Sequence, residues 1–169
     1  MPELTHIDSS GRVRMVDVGD KAATRRTALA EGRLRMEAGT LAAIAAGEIE
    51  KGEALAVARI AAIEGVKRTA SLIPLCHPVP IDGVEVDIDP VEELPGLRVR
   101  VRVSAEWRTG VEMEAMTGVA IALLALYDMC KALDRGMHLG PVRLIEKHGG
   151  RSGSWTAPDG DEPNGASNA

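Results

Sequence analysis

The sequence predicts an α+β fold in which an antiparallel sheet carries helices packed on one face. Three segments alternate apolar with polar residues, the period of a half-buried strand, and two longer segments have the spacing or composition of helices. The 169 residues are 45% hydrophobic, enough to bury one core without disulfides or a structural metal. We therefore expect a single domain over residues 1–158.

The N-terminal segment is polar and turn-rich, so residues 1–21 are predicted to form an extended arm with little regular structure. From Thr27 to Met36 apolar residues alternate with charged ones, which indicates the first strand. A short helix is then expected from Thr40, acting as its cap, to Gly47. A second helix is expected from Glu53 to Leu72, because its apolar residues recur at three and four spacing.

Prolines interrupt the helical pattern after this point. Pro74 ends the second helix, and the segment Leu75–Pro80 has prolines on both sides, which excludes a helix. We expect a constrained loop there that faces a ligand. Two alternating segments follow, residues 84–89 with acidic polar positions and residues 97–104 with basic ones. They predict a hairpin whose solvent face pairs opposite charges across the strands.

The last elements are a long helix from Val111 to about Leu133, stopped at Gly136, and a strand from Pro141 to Glu146. The remainder is rich in Gly, Ser, Pro and Asp, so residues 159–169 are predicted to be a disordered tail. The order strand, helix pair, strand, strand, helix, strand is the split βαβ arrangement of ferredoxin-like folds.

Composition excludes several function classes. The formal net charge of -5 argues against non-specific nucleic-acid binding, and an RNA-recognition module would need exposed aromatic residues, of which the chain has only Trp107, Tyr127 and Trp155. Two separated cysteines, Cys76 and Cys130, indicate neither a disulfide framework nor a zinc site. The N-terminus lacks an apolar signal core, and no apolar run is long enough to span a bilayer. We expect a cytoplasmic protein without membrane association.

Three groups of residues could carry chemistry. His77, beside Cys76 in the proline-bounded loop, is either a ligand-facing imidazole or an ordinary loop histidine. Asp128 and Lys131 share one face of the long helix, as an acid/base pair or a surface ion pair. Lysine is otherwise sparse, since Arg fills most basic positions. The five lysines are Lys21, Lys51, Lys67, Lys131 and Lys147.

The segment Thr109–Ala115 opens the long helix and also has two interpretations. Thr109 or Gly110 is expected to cap the helix, and Glu112 and Glu114 then stabilise its dipole from the first turn. In the functional interpretation, Met113 and Glu114 close over a base or ribose. Spacing alone does not choose between them.

Six segments, taken in order, resemble the MoaC family and cover nearly the whole chain before the tail. They are MVDVGDK from Met15, ARIAAIEGVKRT from Ala58, LIPLCHP from Leu72, TGVEMEA from Thr109, YDMCKA from Tyr127 and GPVRLIEK from Gly140. Any one string is modest evidence, whereas six at compatible separations are strong evidence.

The resemblance implies a lyase of molybdenum cofactor biosynthesis. Such an enzyme converts (8S)-3',8-cyclo-7,8-dihydroguanosine 5'-triphosphate to cyclic pyranopterin monophosphate and diphosphate. The resemblance also implies a ferredoxin-like protomer and a homohexamer, a trimer of dimers, with active sites at subunit interfaces. It implies no redox cofactor. No second His, Cys or Asp stands at ligand spacing from His77, so no resident metal is expected, and the sequence does not decide whether Mg²⁺ accompanies the triphosphate.

The resemblance also assigns roles to individual residues. The expected catalytic residues are Asp128, Lys131, Lys51 and Glu112. The expected substrate-binding residues are Leu75, Cys76, His77, Met113, Glu114, Lys67, Arg26, Lys21 and Lys147. Relatives often have Lys at the position of Arg151, so Arg151 is given no role in proton transfer. The alternative from another class is a non-catalytic oligomeric module that binds a purine nucleotide for regulation.

Overall fold

The computed structural model describes residues 10–91 and 95–158 of the chain. Within these residues six strands and four helices follow one another. They are β1 (Thr24–Arg35), α1 (Ala38–Ala46), α2 (Ala54–Lys67), α3 (Thr69–Leu72), β2 (Gly83–Pro90), β3 (Gly96–Trp107), α4 (Glu112–Cys130), β4 (His138–Leu139), β5 (Arg143–His148) and β6 (Trp155–Thr156).

The strands form one antiparallel sheet in the order β2-β3-β1-β5-β6, and the short β4 pairs with the end of β1. Strand β3 is inserted between β1 and β2, which the helices α1 to α3 connect. Strand β1 is inserted in the same way between β3 and β5, which α4 connects. This is the split βαβ topology, so the predicted ferredoxin-like fold is confirmed.

The core lies between one face of the sheet and the helices α2 and α4. Alternate residues of β1 and β3 are buried there, among them Leu34, Val99 and Val101. Glycine allows the helices to approach closely: a Cβ added to Gly118 of α4 would lie 2.8 Å from a methyl group of Val66. With no Phe in the chain, small and aliphatic side chains fill this interior by close packing.

Although no uninterrupted apolar run is long enough to span a bilayer, helix α4 as a whole is long and apolar enough to do so by length and composition alone. However, 56% of the apolar stretch is buried inside the protein, against α2, β1 and β3. A helix buried to this extent behaves as the core helix of a globular fold.

Four helix boundaries differ from the predicted ones. Thr40 does not cap α1 but lies buried inside it, because the helix already starts after Glu37. The helix predicted from Glu53 to Leu72 is interrupted at Arg68. Thr69 causes a tight junction there, since its hydroxyl donates to the carbonyl oxygens of Gly65 and Val66 in the preceding turn.

The start of α4 is also corrected. Neither Thr109 nor Gly110 caps it; the residue before the helix is Val111, without a side-chain cap hydrogen bond. The two acidic residues of the first turn, Glu112 and Glu114, lie where they were predicted. The helix ends at Cys130, three residues before the predicted end at Leu133.

The C-terminal part contains more strand than predicted. Strand β5 is shifted two residues from the expected Pro141–Glu146, and β6, which was not predicted, pairs Trp155 with Lys147. The predicted disordered tail, residues 159–169, and part of the predicted arm, residues 1–9, lie outside the described residues.

The sheet face opposite the helices carries the predicted charge pairs. Arg100 donates to Asp89 across the hairpin at 3.1 Å. Arg102 makes its shortest ion pair, 2.8 Å, with Glu146 of β5 rather than with Glu85 of the hairpin, which lies 4.0 Å away. The expected cross-strand pairing is confirmed, with β5 as an additional partner.

Candidate active site

A cavity of about 350 Å³ opens at the N-terminal end of α4. Three segments that are distant in sequence form its walls: the arm before β1, the loop after α3, and the start of α4. The lining residues are Val16, Val18, Lys21, Leu75, Cys76, His77, Thr109, Gly110, Glu112, Met113 and Glu114. We call this cavity the N-terminal pocket. Its size is typical of a site for a small molecule.

Local backbone features position the walls of the N-terminal pocket. The carboxylate of Glu112 folds back over Gly110, where any Cβ would collide with it, so residue 110 must be glycine for this arrangement. The arm is held in the wall of the pocket because the guanidinium of Arg108 donates to the carbonyl oxygen of Gly19 at 2.8 Å. The proline-bounded loop was predicted to face a ligand, and it supplies Leu75 to His77.

Burial controls the electrostatics of the N-terminal pocket. Glu114 is only 4% exposed, and this burial, reinforced by the nearby Glu112 carboxylate, raises the pKa of Glu114 to about 7. Burial also raises the pKa of the Cys76 thiol, and Glu114 adds to that effect. The pocket therefore offers a carboxyl group that exchanges a proton near neutral pH.

Cations border the N-terminal pocket. Lys21 lines both this pocket and a neighbouring cavity that contains Arg26 and Arg151. Lys147 lies 3.9 Å from Glu112 and is also hydrogen-bonded to Ser152. Lys21 therefore joins the N-terminal pocket to the second cavity, and Lys147 adds a cation beside Glu112.

Arg26 is fixed by its surroundings. Its Nε donates to the carbonyl oxygen of Trp107 at 3.2 Å. Gly150 leaves the space that the guanidinium occupies, because a Cβ at that position would collide with it. The guanidinium is thus held in place before any ligand binds, which lowers the ordering cost of binding an anion.

A second cluster, which we call the lysine cluster, lies at the C-terminal end of α4. The Asp128 carboxylate accepts from Lys131 at 2.6 Å and from Lys51 at 3.0 Å. Lys51 also donates to the Asp128 carbonyl oxygen at 2.8 Å. The hydrogen bonds from Lys131 and then Lys51 lower the pKa of Asp128. All three side chains are substantially exposed, at 43–57%.

The two groups of predicted site residues are far apart in one chain. Glu112 is the first residue of α4 and Asp128 lies in its last turn. At about 1.5 Å per helical residue, their Cα atoms are separated by roughly 24 Å along the axis. General acid/base groups must lie within hydrogen-bond reach of their substrate. A single chain therefore does not bring the lysine cluster and the N-terminal pocket together.

Lys67 stands apart from both groups. It lines a surface groove with Ile63 and Val79, and its nearest carboxylate is that of Glu64 at 3.8 Å. It is not among the residues lining the N-terminal pocket, although the end of α2 lies beside the start of α4.

Several lining residues were not singled out from the sequence. Val16 and Val18 of the arm line the pocket with Lys21, and the only signal for these two valines was their position in the MVDVGDK segment. Ser152, the partner of Lys147, had no signal, because it lies in the Gly- and Ser-rich segment after the last predicted strand. In the described parts of the chain, no group of three or more His, Cys, Asp or Glu side chains is arranged to hold a metal ion.

The sequence of the chain was compared with models of protein families. The model of the MoaC family matches residues 15–150. This range contains the N-terminal pocket, the lysine cluster and every residue to which the sequence analysis assigned a role.

Proposed function

The chain belongs to the MoaC family, which acts in molybdenum cofactor biosynthesis, and we propose that it converts (8S)-3',8-cyclo-7,8-dihydroguanosine 5'-triphosphate to cyclic pyranopterin monophosphate and diphosphate. The observation that carries this proposal is the N-terminal pocket with its basic border, which suits a purine-derived ring followed by a triphosphate. The activity is that of a phosphorus–oxygen lyase.

The substrate binds with its ring system in the N-terminal pocket. Met113 and Leu75 contribute apolar contact, His77 supplies ring nitrogens for hydrogen bonds, and Glu114 supplies a carboxyl group whose protonation can adapt to the ring. Lys21, Arg26 and Lys147 bind the triphosphate, and they provide the local positive charge that a polyanion needs in a protein of net charge -5. Lys67 is a further proposed triphosphate ligand, and it lies in a separate groove of the same chain.

The chemistry requires several proton transfers and one phosphate cyclisation. Opening the purine ring and closing the pterin move protons between nitrogen, carbon and oxygen atoms. Lys51 and Lys131, both hydrogen-bonded to Asp128, act as acid and base, and Glu112 serves as an additional acceptor. A substrate hydroxyl then loses its proton and attacks the α-phosphorus, and the bond to the departing diphosphate breaks. The bordering cations stabilise the charge on that leaving group.

The active site in this proposal is completed by two copies of the chain. One protomer contributes the N-terminal pocket and its partner contributes the lysine cluster, because the two lie roughly 24 Å apart in a single chain. The assembly is a homohexamer, a trimer of dimers, with its active sites at subunit interfaces. The reaction uses no redox cofactor, and the enzyme works in the cytoplasm without nucleic acid or membrane partners.

The first experiment is incubation of the purified chain with the cyclised nucleotide, following diphosphate release and the fluorescence of the oxidised pterin product. Both signals together are expected. Tight binding with neither signal would overturn the synthase and favour the regulatory nucleotide-binding module.

A mixing experiment tests the shared site. His77→Ala damages the pocket half and Asp128→Asn damages the cluster half, so each variant alone is expected to be nearly inactive. Mixed after reversible dissociation, they form some heterodimers in which one site has both halves intact. About a quarter of wild-type activity should return, whereas a site built within one chain would give no recovery.

A further inference from the structure

The arm makes a tight turn at residues 18–21, just before β1. The backbone N–H of Lys21 donates to the carbonyl oxygen of Val18 at 3.1 Å. One residue before the turn, the carboxylate of Asp17 accepts from the N–H of Gly19 at 2.8 Å, which is an Asx turn. In such a turn the side-chain oxygen satisfies a backbone donor that no helix or strand engages. Two local hydrogen bonds therefore fix the backbone that leads into Lys21.

A third hydrogen bond ties this turn to the sheet. Arg108, the residue after β3, donates from its guanidinium to the carbonyl oxygen of Gly19 at 2.8 Å. The backbone at Arg108 is itself held by Arg26, whose guanidinium donates to the carbonyl oxygens of Trp107 and Arg108 at 3.2 and 3.5 Å. A continuous series of contacts therefore joins Arg26 on β1 to the turn before Lys21.

Lys21 differs from the other lysines in its surroundings. In residues 10–91 and 95–158, Lys21 is the one lysine without an ion pair to a carboxylate, whereas the other four pair with Glu64, Glu112 or Asp128. Its side chain lines both the N-terminal pocket and the second cavity, which contains Arg26. An ammonium group in this position can bind a phosphate chain that runs from one cavity to the other.

We propose that Asp17 and Arg108 are positioning residues, which hold the turn so that Lys21 is presented to the triphosphate of the substrate. This inference rests on the proposed function, which supplies the triphosphate. Neither Asp17 nor Arg108 lines the N-terminal pocket or the second cavity, so each acts through Lys21 rather than by contact with the substrate. A backbone that is fixed before the anion arrives lowers the ordering cost of binding it.

The charge of Asp17 and its hydrogen bond have opposite expected effects on anion binding. A carboxylate near a polyanion site repels the ligand, so by charge alone the loss of Asp17 would strengthen binding. Through its hydrogen bond to Gly19, however, Asp17 shapes the turn, so its loss would weaken binding. The sign of the change in affinity therefore distinguishes positioning from electrostatic repulsion.

Calorimetric titration with inorganic triphosphate tests the sign. Asp17→Ala is expected to weaken binding by about tenfold, the upper range for one lost hydrogen bond. Asp17→Asn is the matched control, because it removes the charge but keeps an oxygen that can accept from Gly19; its affinity should equal or exceed that of the unsubstituted protein. Unchanged or tighter binding by Asp17→Ala would overturn the proposal, as would the absence of triphosphate binding by the unsubstituted protein.

A double-mutant cycle tests whether Arg108 acts through Lys21. Arg108→Ala alone is expected to weaken triphosphate binding by about tenfold. In a Lys21→Ala background the same change should have an effect of less than about twofold, because the group that Arg108 positions is already gone. Equal losses in both backgrounds would make Arg108 a direct ligand and overturn its positioning role. Arg59→Ala, at an exposed arginine that lines neither cavity, controls for net charge and should leave the affinity unchanged.

Both positioning residues are exposed, so their variants are expected to fold. Thermal unfolding of Asp17→Ala and Arg108→Ala should stay close to that of the unsubstituted chain. Arg108→Lys keeps a long side chain that can donate to Gly19, so it should recover part of the affinity lost in Arg108→Ala. Equal affinities of Arg108→Lys and Arg108→Ala would contradict a role for this hydrogen bond.

The outcomes separate this inference from the proposed function. If Asp17→Ala and Arg108→Ala weaken triphosphate binding while the unsubstituted chain releases no diphosphate from the cyclised nucleotide, the positioning of Lys21 stands and the synthase is wrong. If the unsubstituted chain releases diphosphate and both variants bind triphosphate as tightly as it does, the synthase stands and the positioning role is wrong.

Discussion

The two ends of α4 use opposite physical means to prepare reactive groups. At the N-terminal end, burial raises the pKa of Glu114 to about 7. At the C-terminal end, hydrogen bonds from Lys131 and Lys51 lower the pKa of an exposed carboxylate, Asp128. Burial therefore shifts the carboxyl pKa at the N-terminal end of α4, and ion pairing shifts it at the C-terminal end.

This difference indicates what each end lacks. The N-terminal pocket has walls and a positively charged border but is far from the lysine cluster. The lysine cluster has proton-transfer groups but no walls, and its charges are screened by water while it stays exposed. In our proposal the partner chain supplies the missing part to each of these sites. The largest effects are therefore expected from changes to the residues that one chain supplies to the site of the other.

Removing an ammonium group from the lysine cluster should have the largest effect. Lys51→Ala and Lys131→Ala are each expected to lower turnover by about 100-fold or more, which is the usual contribution of a general acid or base. Nucleotide affinity should change little, because the N-terminal pocket is untouched. Turnover, calorimetric binding and native mass would be measured together. Arg68→Ala, which removes another exposed cation on an ion pair, is the control; unchanged turnover in a lysine variant would exclude that lysine from the mechanism.

The burial of Glu114 at the N-terminal end of α4 should make the stability of the protein depend on pH. The pKa of Glu114 is raised on folding, so its stabilising contribution is complete below about pH 4.5 and is lost as pH rises through about 7. The full difference corresponds to about 3 kcal/mol in the free energy of unfolding. Glu114→Gln should remove this dependence, as measured by urea unfolding at pH 5 and pH 8. Parallel pH profiles for the two proteins would contradict the burial effect.

A single methyl group should disturb the pocket wall. Gly110→Ala is expected to displace the Glu112 carboxylate and lower kcat/KM by about tenfold, equal to a loss of about 1.4 kcal/mol. Gly39→Ala is the matched control, because a Cβ there meets no atom within 4 Å. Equal kinetics for the two variants would show that the position of Glu112 does not matter.

The smallest effect concerns the charge pairing of Asp128. Lys131→Ala removes the strongest cause of its lowered pKa, so the pKa of Asp128 should rise towards its ordinary value. NMR titration of the side-chain carboxyl carbon would measure the shift. Glu112→Gln should move the pKa of Glu114 in the opposite direction, downwards, because a repelling carboxylate is removed. Shifts of the same sign would contradict the contrast between the two ends.

Much of this fold could be predicted from the sequence because hydrophobic periodicity specifies which face of each element is buried. The alternation in residues 97–104 and the composition of α4 gave the right elements in the right order. The break at Arg68 was not predictable, since it depends on hydrogen bonds made by Thr69 that compete with the regular helix. Strand β6 is only two residues long and has no period to detect.

The candidate site was predicted as a set of residues but not as an arrangement. Glu112 and Asp128 were both predicted to be catalytic residues, although simple helix geometry separates them by roughly 24 Å. The cluster of Lys51 with Asp128 depends on how α2 packs against α4, which no local pattern encodes. The position of Lys67 in a separate groove depends on the same packing.

The length of α4 also determines the distance and the relative orientation of the N-terminal pocket and the lysine cluster. Each residue of α4 advances the chain by about 1.5 Å and turns it by about 100°. Deleting or inserting one residue between Glu114 and Asp128 would rotate the lysine cluster away from the face it shares with Leu124, even if the helix still folded. The number of residues in this segment should therefore be as strictly constrained as their identity.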